Sequence, residues 1–376
     1  MQFTLNEDLQ MIRDGVNRFV QDEYDFDRRR EILSESDGFS RQIWRQMADL
    51  GWLAAALPEE FGGIDLGPRA TMVVMEGLGR GLVVEPYLSN IVMAGEMIAR
   101  HGSTEQKSTI LPALAAGETM VTLAHAEPGG RYDLHHVATT ATAGSGGYKL
   151  SGNKGLVLNA ATADKIIIPA RSSGKVRDPD GITLFLVEAN KAGLSQRPYR
   201  TYDGMQASEL TLDNVEVGDS DMIGARDRGL PILEEIIDRA IAALCAEATG
   251  AMDVLFNMTL SYLKERKQFK RALSDFQALQ FRMADMYMSL ENAKSMAFAA
   301  TIAIEGDDPA LRRREVAAAK VQINQSAHLI GRQGAQLHGA IAITDELAAA
   351  HYYKRLSAIE LLFGNSDHHL GRFIAD

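Results

Sequence analysis

Cysteine is nearly absent from this sequence. One thiol, Cys245, stands among 376 residues, so an internal disulfide framework is excluded and a reducing compartment is expected. Set within an apolar run, it is expected to be a small buried hydrophobe and not a reactive thiol. Long uncharged apolar runs are missing too. No stretch approaches the ~18 such residues that a membrane span needs. The opening Met1-Gln-Phe-Thr-Leu-Asn-Glu-Asp8 has no basic segment leading into an apolar one, so no secretory signal is read. Positive charge is in deficit: 39 Lys and Arg face 50 Asp and Glu, for a formal charge of −11. A nucleic-acid binder needs a basic face, so that class is excluded, while a small anionic ligand on a local basic cluster is not. The expectation is a soluble cytoplasmic protein without a membrane span.

What the sequence does have is apolar periodicity, and the period changes twice. Asn6 is placed to cap a helix carrying Leu9, Ile12, Val16, Phe19 and Val20 on one face. Ser40 opens another, and Pro58 to Ile64 reads as a loop. Helices follow near 69–79, 89–101 and 103–116, the last behind the capping-box spacing Ser103-Thr-Glu-Gln106. From about residue 119 short β-branched segments take over: Val137 to Thr142, Tyr148 to Leu150, Gly155 to Leu158, Lys165 to Ala170, Ile182 to Val187 and Glu209 to Leu212. Turn residues separate them, which is the pattern of an antiparallel sandwich or barrel.

The helical period returns after Gly229, with runs near 231–265, 275–304, 309–335 and 344–362. Each is long enough for a four-helix bundle. The class is therefore α+β: an N-terminal helical domain (1–118), a middle antiparallel β domain (119–226) and a C-terminal four-helix bundle (227–376). The first bundle run has an apolar stripe through Leu233, Ile236, Ile237, Ile241, Leu244 and Ala248, interrupted by Asp238 and Arg239.

Five stretches, in order, resemble the acyl-CoA dehydrogenase family over nearly the whole chain. They are Ala126 to Gly130; Leu150 to Gly155 with Asn159 and Asp164; Ala246 to Gly250; Tyr262 to Phe269 with Phe276-Gln277; and Gln336 to Gly339 with Thr344 to Glu346. Finer runs, Arg131 to Leu134, Ala242 to Glu247 and Tyr353 to Leu356, look most like the small subunits of pimeloyl-CoA dehydrogenases. The resemblance implies a flavin-dependent oxidation of an acyl-CoA between its α and β carbons, with FAD as cofactor. A carboxylate removes the α proton, the flavin takes the β hydride, and the thioester carbonyl must be polarised.

Carried over residue by residue, the match is uneven. Where the family places its usual glutamate base, Phe363 stands before Gly364. In some members the base sits on the first bundle helix instead, and there the sequence has Asp238, followed by Arg239 at a substrate-binding position. The alternative for this pair is structural, a buried ion pair that fixes helix register. The resemblance sets a Thr and a Ser against the flavin where Ala126 and Tyr132 stand, and a Trp-x-Thr where Leu156 to Leu158 stand; His125 and Arg131 are polar arrivals nearby. The half of the flavin site that the family borrows from a neighbouring subunit is better kept: Arg266, Phe269, Gln277, Gln336 and Gly339. Arg266 offers paired donors to a diphosphate. Gln277 also fits a capping box with Ser274, and Ala340 replaces a second glycine beside Gly339.

This asymmetry implies a hetero-oligomer, expected to be a tetramer, in which the chain lends these groups to FAD seated mainly in a related larger dehydrogenase subunit. An acyl-CoA of a dicarboxylic or bulky acid is the expected substrate, and a separate electron-transfer acceptor the expected outlet. Two rival readings keep the fold: a catalytically silent scaffold, and a flavin-dependent oxidase or monooxygenase.

Overall fold

The computed structural model describes residues 5–144 and 146–375, the side chain of Ile343 excepted. The first four residues and Ser145, in the turn expected between Gly144 and Gly147, lie outside them. The described residues pack as two compact units, one within 1–31, 68–83 and 241–376, the other within 32–67 and 84–240.

The opening segment is helical, and its caps are the ones the sequence offers. Helix α1 (Glu7–Glu23) starts where Asn6 Oδ1 accepts the Leu9 N–H at 2.9 Å. Helix α2 (Phe26–Ser34), unforeseen in the sequence, precedes α3 (Arg41–Asp49), capped by Ser40, and α4 (Gly67–Gly81). Next comes a π-helix, Leu88–Gly95, with every residue buried, running directly into α5 (Glu96–His101). The Ser103–Gln106 capping box that opens α6 (Thr104–Ala115) forms in both directions, at 3.1 and 2.9 Å.

The middle segment holds strands β1 (Val121–Leu123), β2 (Thr140–Gly144), β3 (Gly147–Leu158), β4 (Lys165–Arg171), β5 (Ile182–Glu188), β6 (Leu194–Arg200), β7 (Gln206–Val217) and β8 (Met222–Ile223). They form one path, β6-β7-β3-β2-β4-β5-β8, with β1 beside β4. The join between β2 and β4 is a single pair, Thr140 with Arg171. Two four-stranded halves therefore share one core, in which Leu150, Leu210 and Val215 from one half meet Ile166, Ile168 and Phe185 from the other. The sheet is not purely antiparallel as expected: β1 runs parallel to β4. Two further expectations are corrected here. The segments at Tyr148 and Gly155 are one strand, β3, irregular at Gly152. Gly152 holds φ +154°, and a Cβ there would sit 2.6 Å from Thr139 Oγ1, so only glycine fits. Strand β6 was not foreseen because it is a mostly polar edge strand.

One buried ion pair bridges the two halves. Lys154 Nζ, on β3, donates to Glu127 Oε1 and to Pro169 O of β4, both at 2.6 Å. Glu127 also accepts the Ala138 N–H at 2.6 Å and the Thr139 N–H. Burial works to raise the Glu127 carboxyl, but Lys154 and these donors hold it below its ordinary value.

The last segment begins with α7 (Gly229–Glu265) and continues through α8 (Gln277–Glu305), α9 (Pro309–His338) and α10 (Ala348–Leu361). A fifth helix, α11 (Ser366–Ala375), extends the expected bundle of four and packs on α9. By length and hydropathy α7 passes for a membrane span, unlike the expectation from the sequence; 78% of that window is buried inside the protein, where it serves as core. Cys245 lies on α7 fully buried, and burial pushes its thiol up to about 12, as suits a hydrophobe.

Removing one member of the Glu127–Lys154 pair leaves a charge buried without a partner. Lys154→Met is expected to cost about 3–5 kcal/mol in urea denaturation, with much of the loss recovered on adding Glu127→Gln. A cost below about 1 kcal/mol would mean that the pair is no bridge.

Candidate functional site

The five residues expected to hold the cofactor all lie in the unit that contains 241–376, and all five are exposed. Helix α7 ends as the Arg266 N–H donates to Tyr262 O at 2.8 Å, and Arg266 O accepts the Leu273 N–H at 2.9 Å. Between them a small hairpin forms from β9 (Lys267–Gln268) and β10 (Arg271–Ala272). Its two turn residues are Phe269 and Lys270, at φ +52° and +66°. A two-residue turn of this hand favours Asn-Gly, so a phenylalanine there is strained. Its ring is also 85% exposed. Phe276 stands edge-on to it with centroids 6.2 Å apart, and the Arg271 guanidinium lies 3.8 Å over the Phe276 ring. Strain and exposure together describe a ring set out for a ligand or a second chain.

Gln277 is the first residue of α8, and the expected Ser274 capping box does not form: Phe276 occupies the cap position without a side-chain bond. Gln280 Nε2 donates to Ser274 O instead, at 2.8 Å. Gln336 lies in the last turn of α9, and Gly339 ends that helix at φ +76° with open space around a hypothetical Cβ. His338 ties this end to the last turn of α7. Its ring stacks on Tyr262 with centroids 4.7 Å apart, and its Nδ1–H donates to Gly334 O at 2.8 Å. The structure thus gathers the ends of α7 and α9, with Arg266, Phe269, Gln336 and Gly339, on one surface.

Asp238 and Arg239 lie in the other unit, both buried. Arg239 Nη1 reaches Glu96 Oε2 at 2.9 Å and its Nε reaches Glu235 Oε1 at 3.3 Å. Glu235 also takes Arg100 at 2.5 Å and His101 at 3.0 Å. Burial opposes the charge on Glu235, but His101, Arg100 and Arg239 together pull its carboxyl down to about 2. Glu96, wholly enclosed, is raised by burial in spite of Arg239. The structural alternative read from the sequence paired Arg239 with Asp238; the guanidinium answers Glu96 and Glu235. These two carboxylates were not singled out in the sequence, where Glu96 is one more charge in an apolar helix.

At the position of the family's usual base, Phe363 holds φ +58° and Gly364 φ +125°. Phe363 O accepts the His369 Nε2–H at 3.0 Å. The turn is built, but it carries no carboxylate. In the middle segment, Ala126 O accepts the Gly155 N–H at 2.9 Å, Leu156 is at φ +49°, and Asn159 at φ +54°. His125 is half-buried, and burial with Lys154 nearby pushes its imidazole down to about 4. Arg131, exposed at φ +51°, is a turn residue. Sequence reading also passed over Ser89 and Asn90 on the π-helix. Ser89 Oγ donates to Asn159 Oδ1 at 3.0 Å, and Asn90 Oδ1 accepts the Val121 N–H at 3.2 Å.

Three family models match in the order of these segments: the acyl-CoA dehydrogenase N-terminal domain over 6–118, its middle domain over 122–215 and its C-terminal domain over 227–375. The chain belongs to the acyl-CoA dehydrogenase family. It is a flavin-dependent oxidoreductase acting on CH–CH groups, of a family that uses FAD. Among its relatives is isovaleryl-CoA dehydrogenase, mitochondrial, of Solanum tuberosum, 28% identical over 86% of this chain and 79% of that protein. Among solved structures, a Tcur3481–Tcur3483 steroid ACAD variant matches at a TM-score of 0.89 and 29% identity, covering 99% of this chain and 98% of that one. The ChsE4–ChsE5 complex from Mycobacterium tuberculosis matches at 0.90 and 25%, covering 100% and 99%.

The residues present fit FAD on the α7–α9 surface. There an arginine, an exposed ring and an open glycine backbone offer what a diphosphate and an adenine bind. The segment around Ala126 and Leu156 offers backbone groups without the family's hydroxyls.

The neutral buried His369 gives a pH signature. Burial, with Lys320 nearby, lowers its imidazole to about 2. In the unfolded chain it titrates near its ordinary ~6.5. Acidification therefore protonates the unfolded state first. Stability is complete above pH ~7 and falls below ~6.5 by about 1.4 kcal/mol per pH unit for this group. Denaturant melts of the wild type and His369→Gln from pH 7 to 5 are expected to differ in slope by that amount, and equal slopes would contradict the assignment.

Proposed function

We propose that this chain is one subunit of a hetero-oligomeric acyl-CoA dehydrogenase, in which a related larger subunit completes the flavin site. The observation that carries this is the exposure of Arg266, Phe269, Gln277, Gln336 and Gly339, with Phe269 held at a strained turn. The weakened flavin segment at Ala126 and Leu156 to Leu158 agrees with it. Two relatives in fold, the ChsE4–ChsE5 complex and the Tcur3481–Tcur3483 variant, are themselves two-component by name, which supports the reading. The assembly is a cytoplasmic tetramer, and the finer resemblance to small subunits of pimeloyl-CoA dehydrogenases points to a dicarboxylic or bulky acyl group.

In this account Asp238 takes the α proton of the thioester. Arg239, held by Glu96 and Glu235, keeps the Asp238 turn of α7 in place and its charge near the substrate. FAD, when bound, supplies the acceptor for the β hydride, and a separate protein acceptor carries the electrons away. Arg266, Phe269, Gln277, Gln336 and Gly339 grip the dinucleotide from this chain's side.

A second reading, a silent scaffold, is favoured by one observation: the built but carboxylate-free turn at Phe363. One variant separates the two. Asp238→Asn in the assembled complex is expected to lower kcat by ~10²–10⁴ while substrate Kd moves far less. Turnover equal to wild type would leave the scaffold reading standing. On the flavin side, Arg266→Met is expected to raise the FAD dissociation constant of the complex by at least ~10-fold, read by fluorescence titration, since it removes a charge-assisted bond. An unchanged constant would remove Arg266 from the cofactor site.

A further inference from the structure

The π-helix Leu88–Gly95 carries a buried donor whose partner is not among the described residues. Asn90 is 1% exposed, and its amide oxygen accepts the Val121 N–H at 3.2 Å. Because Val121 offers a hydrogen, the oxygen must face it, and the orientation of the amide is fixed. Its Nδ2 then points elsewhere, enclosed, with no acceptor among the described residues. Buried side-chain donors are ordinarily satisfied, so one that is not asks for a ligand or a water. The backbone adds to this, since π-helical turns occur mostly at functional sites.

The surroundings indicate which ligand. Val121 begins the strand that leads into the Ala126–Glu127 segment. Ser89, next to Asn90, bonds Asn159 at 3.0 Å, and Thr122 Oγ1 bonds Leu158 O at 2.7 Å. The π-helix is thus tied to the strand that precedes Ala126 and to Asn159, the residue after Leu158. Its continuation, Glu96, is ion-paired at 2.9 Å with Arg239, neighbour of the proposed base. An acyl chain undergoing α,β-oxidation has to pass between base and flavin.

We infer that the Asn90 amide donates a hydrogen bond to an acceptor on the acyl group itself, so that the enzyme selects acyl chains bearing a carboxylate or other oxygen beyond the thioester. This inference rests on the dehydrogenase reading above and refines its substrate class. A hydrocarbon chain would leave the buried donor unanswered, and sites built to bond a polar group discriminate strongly for that reason.

The test uses the assembled holoenzyme and a series of CoA thioesters of six to ten carbons, each as the plain acyl chain and as its ω-carboxylate. Calorimetric Kd and kcat/KM are both measured. The wild type is expected to favour the ω-carboxylate at a matching chain length by ~10-fold or more. Asn90→Leu removes the donor and the Val121 contact together. Asn90→Asp keeps an oxygen for Val121 and puts a carboxylate in place of the donor, so the series also carries an uncharged ω-methyl ester, whose preference a lost donor lowers without charge repulsion. In both, the preference is expected to fall at least ~10-fold, with flavin content and melting temperature reported alongside. A ratio that moves less than twofold in Asn90→Asp, or a wild type indifferent to the ω-group, overturns the inference and assigns the donor to a water. If no thioester bleaches the flavin, the dehydrogenase reading falls on its own, and the binding constants still decide the role of Asn90.

Discussion

Arg239 has given up its water, and the two carboxylates that answer it tie the start of α7 to α5. A buried guanidinium with one partner removed costs several kcal/mol, so the pairing cannot be idle. Glu96 sits at the end of the π-helix and Glu235 one turn ahead on α7, and Arg239 bonds both. Their joint hold fixes the turn that carries Asp238 against the helix that carries Ser89 and Asn90. Those two in turn pin Val121 and Asn159. The Asp238 turn, Asn90, Val121 and Asn159 are thereby set by one short chain of polar contacts. Lys154 plays the corresponding part inside the sheet, joining β3 to Glu127 and, through the Pro169 carbonyl, to β4.

The family resemblance is uneven across the rest of the molecule. At Phe363, where the resemblance places the family's base, the chain turns at positive φ with His369 bonded to the carbonyl and offers no carboxylate. Leu156 and Asn159 turn at positive φ, while Ala126 and Leu156 to Leu158 carry no side-chain hydroxyl. On the α7–α9 surface the reverse holds: Phe269 keeps a strained conformation and an 85% exposed ring that nothing in its own core explains. Strain of that kind persists when something outside the local fold makes use of it. A site divided between unlike subunits accounts for loss in one place and retention in the other.

Much of this was legible in the sequence, for physical reasons that can be named. Asn6, Ser40 and the Ser103–Gln106 box cap helices because their short side chains reach orphan amides locally. The α7 stripe and the motif order gave the fold and the family. What failed was whatever depends on distant partners. Ser274 and Gln277 have capping-box spacing, yet the chain turns at Phe276 and the box stays open. Strand β6 is mostly polar because it is an edge, so its alternation carries no apolar signal. The π-helix reads as an ordinary helix, since one extra residue per turn leaves no compositional mark. Glu96 meets Arg239 across 143 residues, and no local pattern announces that.

The division of the flavin site between unlike chains is the claim on which the functional account stands. It is tested most directly by counting flavin per polypeptide, from the visible spectrum of this chain purified alone and of the same chain purified with its co-expressed larger partner. The account predicts little or no bound FAD in the first sample and stoichiometric yellow flavin in the second. A full complement of FAD in the chain by itself, in an assembly of identical subunits, would contradict it.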